Sequence, residues 1–153
     1  MEACFAMDRD LEVTRFIPGP WSDPVAHRAF FETHRQRFYP PGMGYWSVLE
    51  ADGFIGGIQL APLDWHGPEI EIDWRFVRTA WGRGYATEAV SSILSYALHI
   101  LRVPEIVADI APTNIAAVRV AKKLGFHALR PIEHAGQAFD RYVARPGFPL
   151  ARE

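Results

Sequence analysis

Polar and apolar residues alternate strictly along one segment near the middle of the chain, from Glu69 to Val77. Successive side chains of a β-strand point to opposite faces, so this period of two predicts a strand with one polar face and one apolar face. The polar face carries Glu69, Glu71, Asp73 and Arg75, and the apolar face carries Ile70, Ile72, Trp74 and Phe76.

The hydrophobic period changes after this strand. From about Gly84 to Leu101 the apolar residues recur every three or four positions, which predicts a long amphipathic helix. The segment from Trp81 to Thr87 therefore lies between a strand and a helix. The apolar positions of the helix are Ala86, Ala89, Val90, Ile93, Leu94, Ala97, Leu98 and Leu101.

Turn and cap residues divide the rest of the chain. Ser22 as N-cap and Pro24 in the first turn predict a helix from Asp23 to Arg37, and Asp52-Gly53 predicts a tight turn between two strands. The order α-β-β-β-α-β-α-β-β predicts an α/β fold, a mixed sheet with helices on its faces, in a single domain over residues 1–153. The other expected elements are the strands Tyr45–Glu50, Phe54–Ala61 and Glu105–Ala111, the helix Asn114–Leu124, and a hairpin of Phe126–Ile132 with Ala138–Ala144 around Gly136.

Composition excludes several classes of protein. The chain has 153 residues, is 49% hydrophobic and has a net charge of -2, which fits a globular domain and argues against a nucleic-acid binder that neutralises phosphates. Cys4 is the single cysteine, and the histidines show no ligand spacing, so neither a disulfide nor a metal site is expected. No apolar run is long enough to cross a membrane, and residues 1–10 lack a secretory pattern, so we expect a cytoplasmic protein.

The segment between the strand and the helix, Trp81 to Thr87, is the candidate binding site. Gly82 and Gly84 permit unusual backbone angles and a close approach of N–H groups to a ligand. A helix N-terminus with Arg83 beside it suits a pyrophosphate. The pair of glycines alone fits a turn without a ligand equally well. The spacing is not that of a dinucleotide-binding fingerprint, because residue 87 is Thr, and no Gly-Lys-Ser/Thr of a Walker loop follows.

Two blocks of sequence resemble the GNAT superfamily of N-acetyltransferases. The block Glu71–Ala89 is similar to its acetyl-CoA motif, Gln/Arg-x-x-Gly-x-Gly/Ala, with Trp81 in place of Gln/Arg, Gly84 as the first required glycine and Ala86 in the Gly/Ala position. The block Asn114–Phe126 resembles the Asn-x-x-Ser-x-Arg-Val-x-x-Lys-Leu-Gly-Phe of the RimJ/RimL-type branch. The resemblance extends from about Asp8 to Val143 and implies a GNAT-like fold that lacks its first strand.

The resemblance implies acetyl-CoA as co-substrate and assigns residues to it. The backbone of Phe76 and Val77 is expected to pair with the pantetheine arm, as in β-augmentation. Asn114 is expected to hydrogen-bond the same arm. Arg119 and Lys122 are candidates for the 3′-phosphate, although a solvated helix face explains them nearly as well. The glycine turn with the start of the helix is expected to hold the pyrophosphate: Gly82, Arg83, Gly84, Tyr85, Ala86 and Thr87.

The chemistry that the resemblance implies is direct attack of a neutral amine on the thioester, which needs a base. Glu71 and Asp109 are the candidate bases, and the ordinary alternative for each is a solvated or Arg-paired strand carboxylate; Glu69 and Asp73 are weaker candidates. An oxyanion donor is expected near Val77. The usual proton donors are missing, because Ala117 replaces the Ser and the expected Tyr falls at Ala121.

The expected acceptor is an amine: a small molecule, an aminoglycoside-like polyamine or a protein N-terminus. A CoA-binding sensor or pseudoenzyme is the main alternative, and an interaction module is a weaker one. Since a missing first strand would expose the Tyr45–Glu50 edge, either a homodimer or a segment bearing Phe5, Phe16 and Ile17 is expected to cover it. His27 and His34 are interpreted as part of the polar face of a helix. His66 and His134 are interpreted as loop residues that the sequence only weakly indicates as functional.

Overall fold

The computed structural model describes residues 2–51, 53–63 and 68–147, which form a six-stranded mixed sheet with helices on both faces. Three helices precede the first strand, in agreement with the expectation that no strand opens the described chain. The helices are α1 (Glu2–Asp8), α2 (Leu11–Thr14), α3 (Pro24–Arg35), α4 (Tyr85–Ser95) and α5 (Ile115–Lys123). The strands are β1 (Gly44–Glu50), β2 (Gly53–Pro62), β3 (Ile70–Phe76), β4 (Ile106–Ile110), β5 (His127–His134) and β6 (Gln137–Ala144).

Two strands at the centre of the sheet diverge. The strand order is β1-β2-β3-β4-β6-β5, and β3 with β4 is the parallel pair while the others are antiparallel. The parallel register contains two pairs, Ile70 with Ile106 and Glu71 with Val107, although β3 continues to Phe76. A cleft therefore opens between the carboxyl-terminal halves of β3 and β4.

The predicted alternation of β3 is confirmed, and it assigns the two faces of the sheet. Ile72 packs in the main core with Val90 and Leu94 of α4 and with Ala121 of α5. The polar positions point to the other face, where Arg75 bonds to Asp8 of α1. Apolar residues thus attach α4 and α5 to one face, while charged residues face the N-terminal helices.

His27 is not on a polar face, contrary to the sequence-based interpretation. It is 1% exposed, its Nε2 lies 3.2 Å from Oδ2 of Asp8, and its ring meets the rings of Phe5 and Trp21. The other oxygen of Asp8 accepts a hydrogen bond of 2.9 Å from Arg75. The spacing from His34 could not reveal this, because Asp8 lies 19 residues before His27 in the chain.

The boundaries differ from the predictions at three helix ends. Asp23, rather than Ser22, caps α3 by accepting bonds from the N–H groups of Val25 and Ala26, and the helix ends at Arg35. The predicted helix to Leu101 is α-helical to Ser95 and continues as a π-turn over Tyr96–Ile100. The hairpin turns at Ala135-Gly136 as expected. Asp52, Trp65 and His66 lie outside the described residues.

The segment expected to cover the β1 edge lies elsewhere. Phe5 is buried against Phe31 of α3, and the half-buried Phe16 and Ile17 line a cavity. Within residues 2–51, 53–63 and 68–147, β1 pairs with β2 alone. In the same ranges no helix is long and apolar enough to cross a membrane, and no group of three or more His, Cys, Asp or Glu could hold a metal ion.

Candidate active site

A cavity of about 610 Å³ runs through the cleft between β3 and β4. At one end it is lined by Trp74 on β3 and by Asn114 and Ala117 at the start of α5. At the other end it extends under the N-terminal helices, where Trp21 and Phe30 form part of its wall. The splay of the sheet therefore joins two compartments, one on the face that carries α5 and one on the face that carries the N-terminal helices.

The glycine turn has the geometry that a bound phosphate needs. Gly82 and Gly84 adopt φ angles of 71° and 85°, and a Cβ added to either would meet nothing within 4 Å, so the backbone is open to a ligand. Gly84 is the N-cap of α4, which leaves the N–H groups of Tyr85, Ala86 and Thr87 without partners in the helix. This observation fits a pyrophosphate at the helix N-terminus.

Three side-chain contacts hold this turn in place. The indole Nε1 of Trp81 donates a hydrogen bond of 2.8 Å to the carbonyl of Phe76, which ties the turn to the end of β3. Arg83 forms an ion pair with Glu50, with 2.9 Å between Nη2 and Oε1, and the hydroxyl of Tyr85 donates to the same carboxylate. The sequence did not reveal Glu50 as a partner of Arg83, and a bound phosphate would compete with Glu50 for this guanidinium.

The backbone at the end of β3 narrows the expected contacts with a pantetheine arm. Val77 donates to the carbonyl of Ile55 and accepts from the N–H of Ala80, so its groups are already engaged and do not fit the expected role as arm contact or oxyanion donor. Backbone groups alternate in direction along a strand, so those of Trp74 and Phe76 point away from β2 and into the cleft. The Phe76 carbonyl already accepts the indole N–H of Trp81, so the N–H of Phe76 is the group that remains for a pantetheine arm.

The residues expected on α5 occupy different environments. The Oδ1 of Asn114 caps the helix by accepting the N–H of Ala117 at 3.2 Å, which leaves the amide nitrogen to donate into the cavity. Arg119 and Lys122 are exposed on the helix. Ala121, where a Tyr was expected, is wholly buried in the main core, so this position does not face the cleft.

Glu71 lies where β3 and β4 part. Its carboxylate accepts the backbone N–H of Asp109, a group that a continuous parallel ladder would have used. Burial, reinforced by the nearby charges of Asp73 and Asp109, raises its pKa well above the ordinary 4.5, and this outweighs the opposing charge of Arg141. A desolvated carboxylate of raised pKa on the wall of a cavity is suited to proton transfer.

Asp109, the other candidate base, is held in an ion pair. Arg141, which is 1% exposed, donates to its two oxygens at 2.7 Å from Nε and 2.6 Å from Nη2, and it also lies 3.4 Å from Glu69. These hydrogen bonds raise the pKa of Arg141. A carboxylate held by two charge-assisted bonds is a poor proton acceptor. The ordinary alternative, an Arg-paired strand carboxylate, therefore describes Asp109 better than the role of base.

Known proteins resemble this chain in sequence and in structure. The model of the acetyltransferase (GNAT) domain family matches residues 1–127. An uncharacterised N-acetyltransferase, p20 of Bacillus licheniformis, is 31% identical over 141 residues, which cover 88% of this chain and 79% of that protein. YkkB of Bacillus subtilis (strain 168) is 35% identical over 80 residues, which are 52% of this chain and 46% of YkkB, so this match spans less than half of the relative.

A solved structure shares the fold at low sequence identity. Spermidine N-acetyltransferase of Vibrio cholerae, in complex with CoA and spermine, superimposes with a TM-score of 0.75 at 16% identity. The match covers 96% of this chain and 90% of that one. The predicted α/β fold with a mixed sheet is thereby confirmed.

Proposed function

Because the chain belongs to the acetyltransferase (GNAT) domain family, and is thus an acetyltransferase, we propose that it moves an acetyl group from acetyl-CoA to a primary amine by direct attack. One observation carries the proposal: the strand β3 presents a partly buried carboxylate, which forms no ion pair with any described residue, to a cleft in the sheet, and an open glycine turn at a helix N-terminus follows the end of the same strand. The alternative of a CoA-binding sensor without transferase activity is not favoured by this arrangement.

The proposed cofactor site uses the backbone more than side chains. The N–H groups of Tyr85, Ala86 and Thr87 would hold the pyrophosphate together with the dipole of α4. Trp74 and Phe76 would pair with the pantetheine arm, which completes the sheet where β4 has diverged. Arg83, Arg119 and Lys122 would add charge near the phosphates.

Bound acetyl-CoA supplies an activated acyl group, and the chain supplies position and proton transfer. The amine nitrogen would attack the acetyl carbonyl carbon, and collapse of the resulting oxyanion would break the C–S bond and release CoA as a thiolate. The proton lost from nitrogen would pass to Glu71, directly or through water. We assign the base to Glu71 rather than Asp109, because Arg141 occupies the oxygens of Asp109. The inward N–H groups of Trp74 and Phe76 are the candidate donors to the developing oxyanion.

We retain the RimJ/RimL-like branch on the strength of the two sequence blocks, and a polyamine among the candidate acceptors because the Vibrio cholerae structure holds spermine. A protein N-terminus remains a candidate acceptor. A cytoplasmic site of action is supported by the single cysteine, which is free and buried.

Release of free CoA thiol from acetyl-CoA, measured over a panel of amines, tests the proposal. We expect amine-dependent release and, by mass spectrometry, an acceptor heavier by one acetyl group. CoA binding by calorimetry, run in parallel, separates the alternatives. Binding without transfer to any amine in the panel would contradict the proposed activity and favour the sensor.

A further inference from the structure

The half of the cavity under the N-terminal helices combines aromatic walls with buried acidic groups. The rings of Trp21, Phe30, Phe31 and Tyr45 line it, and the guanidinium of Arg75 lies 5.2 Å from the ring centre of Trp21. This wall therefore already accepts a cation on an aromatic face. The volume of about 610 Å³ leaves room for a small organic molecule beside the acetyl-transfer site.

The acidic residues that line the cavity differ in whether a cation already neutralises them. Asp8 is paired with Arg75, and Asp109 with Arg141. Glu71 and Asp73 form no ion pair within 4 Å in the described part of the chain, and both point into the cavity from the same face of β3. Two acidic side chains in this compartment thus lack a cationic partner among the described residues.

Of these two carboxylates, Asp73 is the one that the sequence indicated less strongly as a functional residue. Burial raises the pKa of Asp73 above its ordinary 3.8, and the largest opposing effect comes from the charge of Arg75. That guanidinium is already bonded to Asp8. The other basic neighbour, His34, uses its Nδ1 in a contact of 2.8 Å with the carbonyl of Phe30. A partly buried carboxylate that forms no ion pair with any described residue costs free energy that a cationic ligand would recover.

An anionic substrate fits the same cavity poorly, because the arginines on its wall have partners. Arg35 is paired with Glu32 at 3.0 Å, Arg75 with Asp8 at 2.9 Å, and Arg37 donates to the carbonyl of Pro62 at 2.9 Å. A carboxylate on the substrate would have to share Arg35 and Arg75 with the acids that already neutralise them. The cavity therefore favours a cation at Glu71 and Asp73, which have no such partner among the described residues.

We propose that the acceptor is a diamine, or an amine with a second cationic group, whose reactive nitrogen lies at Glu71 while its second ammonium binds Asp73. Since residues two apart on one strand face are separated by about 6–7 Å, an apolar spacer of roughly four or five carbon atoms fits between the two nitrogens. The aromatic side chains would contact this spacer. This inference rests on the proposed function and names the substrate class for the same site.

The test compares diaminobutane with butylamine, which has the same spacer and one ammonium, and with diaminoethane, whose spacer is too short. We expect wild-type kcat/KM to be highest for diaminobutane. Asp73→Asn should raise the KM for diaminobutane about 10–100-fold, the value of one charge-assisted hydrogen bond, and leave the kcat/KM of butylamine within about 2-fold. Glu133→Gln, at an exposed position on β5, is the matched loss of one charge and should change neither.

Calorimetric binding of diaminobutane to the CoA-loaded protein decides the inference independently of turnover. Weakened binding of diaminobutane in Asp73→Asn but not in Glu133→Gln supports the inference. The same weakening in Asp73→Ser, with a melting curve like that of wild type, excludes a folding defect as its cause. Equal wild-type affinity for diaminobutane and butylamine, or equal losses for both in Asp73→Asn, overturns it. In that case transfer to butylamine would leave the proposed acetyltransferase intact, whereas transfer to no amine would contradict the proposed function itself.

Discussion

At the scale of single residues, the environment separates two carboxylates that look alike in the sequence. Both lie on strands beside the cleft, but Glu71 accepts a backbone N–H while Asp109 bonds to a buried guanidinium. The alternation of β3 predicted which face Glu71 occupies. It could not predict the partner of Asp109, because Arg141 is 32 residues away and reaches it through the pairing of β4 with β6.

Replacement of the proposed base should slow the reaction and change its pH dependence. Glu71→Gln is expected to lower kcat by about 10²-fold near neutral pH, because proton removal is lost. In the wild type kcat should rise with pH through the raised pKa of Glu71, and the variant should lack this rising limb of the pH–rate profile. Asp109→Asn should keep the limb, although it leaves Arg141 buried with one partner fewer and costs about 3–5 kcal/mol of stability. Stopped assays over a pH series measure both profiles, and an unchanged limb in Glu71→Gln would assign the base elsewhere.

The same residue should make stability depend on pH in a definite direction. The folded-state pKa of Glu71 is raised above the ordinary 4.5, so the folded protein binds this proton more tightly than the unfolded chain does. Its contribution to stability is present below about pH 4.5 and is lost as pH rises through the raised pKa. Glu71→Gln should therefore melt at a higher temperature than wild type under alkaline conditions, with the gap closing towards pH 4.5. Thermal melts over that range measure the gap, and the exposed Glu133→Gln should show no such trend.

At the scale of elements, local signals predicted the strands and helices well. Cap residues and periodicity act over a few positions, which is why β3, α5 and the turn at Gly136 lie where the sequence indicated. The π-turn after Ser95 and the divergence of β3 from β4 were beyond such signals, because both depend on packing between distant segments. The spatial order of the strands in the sheet was not predicted, because it depends on pairing between segments that are distant in the chain.

The glycine turn allows a direct test of the phosphate site. Gly84→Val should weaken CoA binding at least 10-fold, because a β-branched residue resists a φ of 85° and its side chain would occupy the open space beside the helix N-terminus. Gly136→Val, in a hairpin turn with a φ of 74° and equally open surroundings, is the matched control for backbone strain. Calorimetry with CoA should show normal affinity in the control. A loss of equal size in both variants would point to unfolding rather than to the phosphate site.

At the scale of the whole molecule, the sheet retains an edge at β1 that no other described strand covers. We propose a second copy of the chain as the cover, since Phe5 packs against α3 and Phe16 and Ile17 line the cavity instead of shielding this edge. Leu49, which is 59% exposed on this strand, should then lie in the interface. Light scattering over a range of concentrations should report a dimer, and Leu49→Lys should shift it to the monomer. A monomer at every concentration would contradict the proposal.

The cleft between β3 and β4 also bears on the slowest step of the cycle. A pantetheine arm that pairs with Trp74 and Phe76 is held as a guest strand, through several backbone bonds that break together. These bonds do not distinguish the acetylated thiol from the free one, because they lie along the arm and not at the sulfur. Free CoA would therefore bind almost as tightly as acetyl-CoA and would dissociate slowly. Product release, rather than acyl transfer, would then limit turnover with a good acceptor.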